Sequence, residues 1–461
     1  MAIKILIGGS PCTYWSVAKK EGRETEAKGM GWELFKNYLI AKEKFKPDFF
    51  LYENNKSASQ AIKDQISEEF GVGIDPDVRF TYINSALVSA QNRQRFYVTN
   101  FGDIAQPEDR GILLRDILVT GATNRKGAKV GDTSDPKYLL KNLKTEDEKT
   151  VTLTAASHKG IGNDGTTTVV EPVVMTPPCG QRDQDKARTL TAGYANKSQR
   201  DLRKDIETDG FMGAQGVIEY VHREANERGI NPVLWQYPHG YNPGGAKYEK
   251  APTLTADGSW VHNNMSVESA LYPFATPVEW DEDGVPTKAR SCADGKIYTV
   301  YKVENGQITI KGKQYPIKLA DGYYIIRKLT VTECARLQTM PDDYCKAVSD
   351  SQAYKALGNG WTAEVIIHLL NHALKDIPRD EEIVVLSMYD GIATGRYCLD
   401  KMGFTNVTYH AYEIDKYPIQ VAMDNYPDII QHGDAFAVRE DDWKPPQTRS
   451  EWLDELLGGD L

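Results

Sequence analysis

The chain has 461 residues, 55 Lys and Arg against 65 Asp and Glu, and a formal net charge of −10. That length admits two or three domains, and 40% hydrophobic with 26% charged residues excludes wholesale disorder. No run of about 18 apolar residues occurs, which excludes a membrane span and a membrane partner, and the acidic total argues against a nucleic-acid partner.

Met1 to Ile7 reach Gly8-Gly9 too soon for a signal peptide and read as a buried strand, Ile3–Ile7. Apolar spacing predicts a helix over Trp32–Phe45, a strand over Phe49–Tyr52 and a helix over roughly Ser57–Phe70. Arg79–Asn84 and Arg95–Asn100 read as further strands. Such alternation predicts an α/β sheet with its active loops at the strand C-termini.

The middle, about 111–326, is rich in Gly, Thr, Pro and Asn, with short β-like runs. Lys149–Ala155, Lys186–Ala192 and Lys250–Ala256 resemble one another, with 37 and 64 residues between their Leu positions. Three similar β-hairpin edges are the favoured reading, ahead of a repeated element offering Thr and Lys to phosphates. Tyr298–Val303 and Gln307–Ile310 form a predicted hairpin around Glu304-Asn305-Gly306.

The last segment returns to α/β. Thr330 caps a predicted helix, with Glu333 three residues on. Trp361–Leu374 is an apolar helix, and a polar linker, Lys375–Glu382, leads to strand Ile383–Ser387. The turn Asp390–Gly395, a helix and strand Val407–Tyr412 follow.

Divided along the chain, the charge changes meaning. Residues 1–110 carry 15 basic and 15 acidic side chains, 111–330 carry 29 and 27, and 331–461 carry 11 and 23. All the acidity lies in the last segment, and a total says little about one face. The six cysteines (12, 179, 292, 334, 345 and 398) show no C-x-x-C pair. Neither a disulfide framework nor a metal site is expected, and a reducing, cytoplasmic setting is.

Gly391 and Gly395 sit on a strand-to-helix turn, and Glu413 ends the next strand about 20 residues later, the logic of nucleotide binding in an open sheet. Asp434 follows Gly433 at a third strand end. Cys12 follows Pro11 after the first strand, where a thiolate can act as nucleophile; a lone Cys is more often a small buried residue. Glu53 ends the second strand, giving a nucleophile-plus-acid pair. Gln91, Arg93 and Arg95 would share one face of a strand.

Together these residues resemble the DNA (cytosine-5) methyltransferase family. Gly9-Ser10-Pro11-Cys12 resembles its nucleophile loop, Tyr52-Glu53-Asn54 its Glu-Asn motif, and Gln91 to Arg95 its Gln-x-Arg-x-Arg motif. Arg327 with Leu329–Gln338, then Pro341–Tyr344, and Tyr354 with Leu357-Gly358-Asn359 match later motifs. Leu386–Gly395 resembles the first motif, especially that of the Dnmt3-like branch, and Gly358–Trp361 also resembles that branch. The motifs that normally come first stand last, so the chain resembles a circularly permuted member.

The resemblance implies a Rossmann-like S-adenosylmethionine-dependent domain over 1–110 and 353–461, and a mostly β target-recognition domain over 111–352. It implies catalysis by Cys12, Glu53, Arg93 and Arg95, with Arg93 open between structural support and a phosphate contact. It implies an S-adenosylmethionine site at Tyr389, Asp390, Gly391, Ile392, Thr394, Glu413, Ile414, Asp434, Asn359 and Trp361. The implied partner is double-stranded DNA, in a prokaryotic or phage setting where a cognate restriction endonuclease, a phage genome or an orphan role all fit. Alternatives are the same scaffold acting on RNA or with a modified sulfonium donor, and a catalytically silent DNA-binding homologue. Two departures stand out: Asn55 replaces a usual Val, and Thr13-Tyr14-Trp15-Ser16 replaces a Gln-containing loop. Lys126, Lys129, Lys137, Lys141 and Lys144 are candidate backbone contacts, though charge runs are usually solvated faces. Pro178-Cys179 lacks a preceding strand and is assigned no chemistry.

Overall fold

The computed structural model describes residues 2–16, 21–119, 136–159, 161, 166–173, 234–236, 245–247, 265–266 and 275–440. Lys126, Lys129, Cys179 and the second and third of the similar segments lie outside these, and the Lys137 side chain is likewise not described. The chain forms two compact units, one of 1–117, 125–169 and 327–461, the other of 118–124 and 170–326.

The first unit is built on a seven-stranded sheet. Its strands are β1 (Ile3–Gly8), β2 (Phe49–Asn55), β3 (Arg79–Asn84), β4 (Gln94–Thr99), β5 (Ile383–Met388), β6 (Val407–Tyr412) and β7 (Ile430–Gln431), in the order β7-β6-β5-β1-β2-β4-β3. The β5 residues Ile383 to Met388 are all buried, as the continuous apolar run of a two-sided parallel strand requires. β5 pairs in parallel with β1, Ile3 opposite Ile383 through Gly8 opposite Met388, so strands far apart in the sequence lie side by side at the sheet centre. β2, β6 and β7 also run parallel, which puts their C-terminal ends on one edge. β4 is antiparallel to β2, with Arg95 opposite Asn55, so its N-terminal end joins that edge.

Helices α1 (Met30–Phe45) and α2 (Gln60–Phe70) cover the β1–β2 region. Phe35, Tyr38, Tyr52 and Phe70 meet edge-on or tilted at 5.1–5.9 Å between centroids, a favourable arrangement for aromatic quadrupoles. The α2 start is set by Ser59, whose hydroxyl accepts from the Ile62 N–H. Helices α3 (Val331–Leu337), α4 (Asp350–Asn359) and α5 (Ala363–Leu374) follow, then α6 (Thr394–Lys401) and α7 (Lys416–Asn425). The expected capping box holds: Thr330 accepts from the Glu333 N–H and Glu333 from the Thr330 N–H. The helix predicted from Trp361 begins two residues later, which leaves Trp361 in the connection between α4 and α5.

Residues 327–352 were expected in the recognition domain but are packed in the first unit. Arg327 and Glu333, with fully buried side chains, form a two-pronged pair at 2.8 and 2.9 Å, and Tyr344 donates to the Ile392 carbonyl. Residues 125–169 belong there too, because Leu114 and Arg115 donate to the Glu148 and Glu146 carbonyls. Composition could not mark these boundaries, since the ties are long-range.

The expected hairpin edge at Lys149–Ala155 is instead an irregular segment entering a 3-10 turn at Ala155. Its Lys149 ammonium donates to the carbonyls of Ala86, Ser89 and Ile112 and is committed internally. Lys144 pairs with Glu148 at 2.8 Å.

The second unit is mostly β. Ala275–Trp280, Pro286–Ser291, Ile297–Glu304 and Gly322–Lys328 are successive antiparallel neighbours. Ile297–Glu304 and Gln307–Ile310 form the predicted hairpin, with positive φ at Asn305 and Gly306 as a right-handed strand twist favours.

Candidate active site

Cys12 stands four residues beyond β1, on a 3-10 turn opened by Pro11. Its loop is bolted to β2. Asn54 Nδ2 donates to the Ser10 carbonyl at 3.0 Å and to the Tyr52 hydroxyl at 3.1 Å, and Ser10 and Tyr52 share a hydrogen bond of 2.7 Å. Burial pushes the Tyr52 phenol pKa upward, so it stays a neutral partner. Asn55 Nδ2 reaches the Cys12 carbonyl at 3.5 Å, so the polar residue at the usual Val position touches the Cys12 loop. Trp15, the other departure, is fully buried and packs toward Trp32, anchoring the loop's far side. Cys12 itself is half-buried.

Gly9 is required by close approach: a Cβ there would lie 2.5 Å from the Glu53 carbonyl oxygen and 3.1 Å from Glu53 Oε2. The chain just beyond β1 therefore passes directly against Glu53. Arg95 Nε lies 2.8 Å from Glu53 Oε1, with both side chains about a tenth exposed. That oxygen is buried and has no aligned hydrogen bond. Trp361 Nε1 donates to Glu53 Oε2 at 3.0 Å.

Gln91 and Arg93 precede β4 rather than sharing a strand face with Arg95. The buried Arg93 guanidinium donates to the carbonyls of Leu153 and Gly360 at 2.8 Å and of Gly358 at 3.3 Å. Its donors are spent on the backbone, which favours structural support over a phosphate contact. Burial, with the Arg95 charge beside it, draws its pKa below the usual range; Cys12 and Glu53 lie within electrostatic reach and oppose that shift. The Cys12 loop and Glu53 thus lie near Arg93.

The glycine turn lies at the end of β5. Tyr389 and Gly391 have positive φ (63° each), and a Cβ on Gly391 would meet nothing within 4 Å. Glu413 Oε2 accepts from the Gly391 N–H, and Oε1 accepts from the N–H groups of Ile414 and Asp415. Ile414 is 71% exposed beside it, a large apolar side chain left open at the sheet edge. Asp390 Oδ1 accepts from Ser387 and Tyr409, whereas Oδ2 is buried without a hydrogen bond. Burial raises the Asp390 pKa to about 6. Tyr389 turns its hydroxyl to the Leu34 carbonyl on α1. Ile392 and Thr394 are buried, Asn359 is exposed at the end of α4, and Asp434 caps the turn that follows it. Among the described residues no cluster of three metal-ligating side chains occurs.

The sequence profile of the family "C-5 cytosine-specific DNA methylase" matches residues 1–375. The chain belongs to this family. It is accordingly a cytosine-C5 methyltransferase by family, with a Rossmann-like methyltransferase domain. No curated protein is matched by the sequence. Among solved structures, the chain is similar to the Entamoeba histolytica methyltransferase EhMeth (TM-score 0.37, 11% identity, 81% of this chain and 78% of that one). It is also similar to a mutant DNMT2 of Spodoptera frugiperda (0.33, 12%, 80% and 78%) and to the S. pombe Dnmt2 methyltransferase (0.30, 12%, 71% and 67%). No helix among the described residues is long and apolar enough to cross a membrane.

Two features of this site were not legible from motifs. The Trp361 bond to Glu53 spans 308 residues, and Tyr409 lies in the interior of β6, where a buried aromatic reads simply as core.

Proposed function

We propose that the protein transfers a methyl group from S-adenosylmethionine to C5 of cytosine in double-stranded DNA. The observation that carries this reading is Glu53, held at the sheet edge by Arg95 and Trp361 with Oε1 lacking an aligned hydrogen bond, beside the Cys12 loop. A buried carboxyl oxygen without an aligned hydrogen bond suits a polar partner from outside.

The Cys12 thiolate adds to C6 of the ring. With Glu53 in its acid form, the C5–C6 π pair shifts through C4 towards N3 as N3 takes the Glu53 proton, so charge does not build on the ring and C5 becomes enamine-like. Arg95, beside that oxygen, is placed by the family resemblance to donate to the base carbonyl O2. Once C5 carries the methyl group that the donor would supply, the N3 proton returns to Glu53, a solvent base removes the C5 proton, the C5–C6 double bond re-forms and the Cys12 thiolate leaves. A base inside a duplex is out of reach of such a loop, so the target must leave the stack.

The donor, when bound, supplies an electrophilic methyl group. The residues present fit it: an open glycine turn, an exposed Ile414 for an adenine face, and a strand-end carboxylate at Glu413. Glu413 keeps acceptor capacity for ribose hydroxyls, because a carboxylate has about four lone-pair sites. The buried Asp390 carboxyl, held by Ser387, Tyr409 and the Ala393 N–H, suits a cationic ligand. The motif order reads as a circular permutation, supported by β5 lying directly against β1.

The test is transfer of labelled methyl from S-adenosylmethionine to mixed-sequence duplex DNA, with RNA in parallel. Incorporation into DNA, abolished in Cys12→Ala, is the expected result. Incorporation into RNA alone reassigns the substrate. Donor binding without transfer to either overturns the reading.

A further inference from the structure

We propose that Trp361 is a positioning residue that selects which oxygen of Glu53 meets the base and ties that choice to the cofactor turn. The proposal rests on the cytosine-methylation reading above.

An indole N–H can only donate. Its 3.0 Å bond occupies one lone pair of Glu53 Oε2 and fixes the carboxyl orientation, which leaves Oε1 as the oxygen without an aligned hydrogen bond. Arg95 Nε is near Oε1 but is not aligned to satisfy it. Without the indole N–H, nothing among the described contacts holds Oε2. The carboxylate is then free to rotate into a better-aligned pairing with the Arg95 guanidinium, which would consume the oxygen needed for N3.

The Trp361 backbone cannot drift to follow such a rotation. Arg93 donates to the Gly358 and Gly360 carbonyls, and Gln338 Nε2 donates to the Leu357 carbonyl at 2.6 Å and the Gly360 carbonyl at 3.3 Å. The same short segment abuts the glycine turn: a Cβ on residue 360 would lie 3.6 Å from Ile392 Cδ1. A single rigid connection therefore touches the turn expected to hold the donor on one side and the catalytic carboxylate on the other. The N–H acts on the proton transfer, and the ring remains available as an apolar wall.

The test is Trp361→Phe in the full chain, which keeps a ring and removes the N–H. Two quantities are read: S-adenosylmethionine affinity by calorimetry, and single-turnover methyl transfer at saturating donor and DNA or RNA. We expect affinity within about 3-fold of wild type and transfer slowed about 10- to 100-fold. If affinity falls and transfer at saturation is unchanged, Trp361 is a cofactor wall only and the proposal is overturned. Unchanged values for both overturn it as well. A wild-type protein silent on every polynucleotide overturns the functional reading and this proposal together, whereas an active wild type with an unaffected variant overturns this proposal alone. Should the Phe variant not fold, benzothienylalanine at 361, isosteric with Trp but lacking the N–H, puts the same question.

Discussion

Tyr409 donates its hydroxyl to Asp390 Oδ1 at 2.7 Å, and Ser387 donates to the same oxygen at the same distance. These two bonds hold the first acidic residue of the glycine turn by one oxygen. They do not offset its burial, and the carboxyl titrates near 6 rather than near its ordinary value of 3.8.

The first prediction concerns stability against pH. Between about 3.8 and 6 the folded state binds more protons at Asp390 than the unfolded chain does. Stability from this group is therefore present below the unfolded value and lost as pH rises through the folded one, a change of about 3 kcal/mol. Asp390→Asn should remove that contribution, raise stability at pH 7.5 by about 1–3 kcal/mol, and weaken binding of a cationic donor. Urea unfolding at pH 5 and 7.5, with calorimetry for the donor, checks both; a pH dependence unaltered by the substitution would exclude Asp390 as its source.

The second concerns Gly395. A Cβ there would lie 2.1 Å from Ile7 Cδ1 and 2.7 Å from the Tyr409 hydroxyl. Gly395→Ala must displace one or both, and overpacking of this kind costs about 1–3 kcal/mol. Because Tyr409 holds Asp390, donor affinity should fall together with the melting temperature. Tyr409→Phe, which removes the hydroxyl without adding volume, should lower affinity with the smaller thermal change.

A third prediction follows from the buried Arg327–Glu333 pair. Arg327→Met strands a carboxylate with no solvent exposure and should cost about 3–5 kcal/mol. The double change, with Glu333→Leu added, should recover part of that loss, since an apolar pair leaves no buried charge. It will not recover all of it, because Glu333 also accepts from the Thr330 N–H. Thermal melts of the two single variants and the double variant give the coupling.

Arg93 gives the fourth. Lys cannot reach three carbonyls in the plane of a guanidinium fork, so Arg93→Lys should destabilise by about 2–4 kcal/mol through carbonyls left unpaired. A donor-binding curve corrected for the folded fraction should stay near wild type. If stability were unchanged and only nucleic-acid affinity fell, the guanidinium would be a phosphate contact after all.

Much of the scaffold was readable in advance because its causes are local. Strand-like runs marked Arg79–Asn84 and Val407–Tyr412 to the residue, and turn chemistry marked Asn305-Gly306. The capping box at Thr330 is likewise a three-residue event. The similar segment at Lys149 misled because a Thr-rich apolar alternation looks the same whether its backbone pairs with a strand or with scattered loop groups such as Ala90. The Gln91 and Arg93 positions misled for the same reason: period two says which residues share a face only where a strand exists.

The amino-acid sequence by itself determined the inventory: a Pro-Cys loop, a strand-end Glu, an Arg on the opposing strand, a glycine turn and a second strand-end carboxylate, each carried by residues adjacent in the chain. Tertiary structure alone decided how those groups are wired. It set Arg93 on three backbone carbonyls, gave the Trp361 N–H to Glu53, and drew residues 327–352 into the first unit. The physical reason is range. Propensity and turn chemistry act over a few residues, whereas a hydrogen bond between side chains 308 positions apart exists only after the sheet has brought β2 and the α4–α5 connection together.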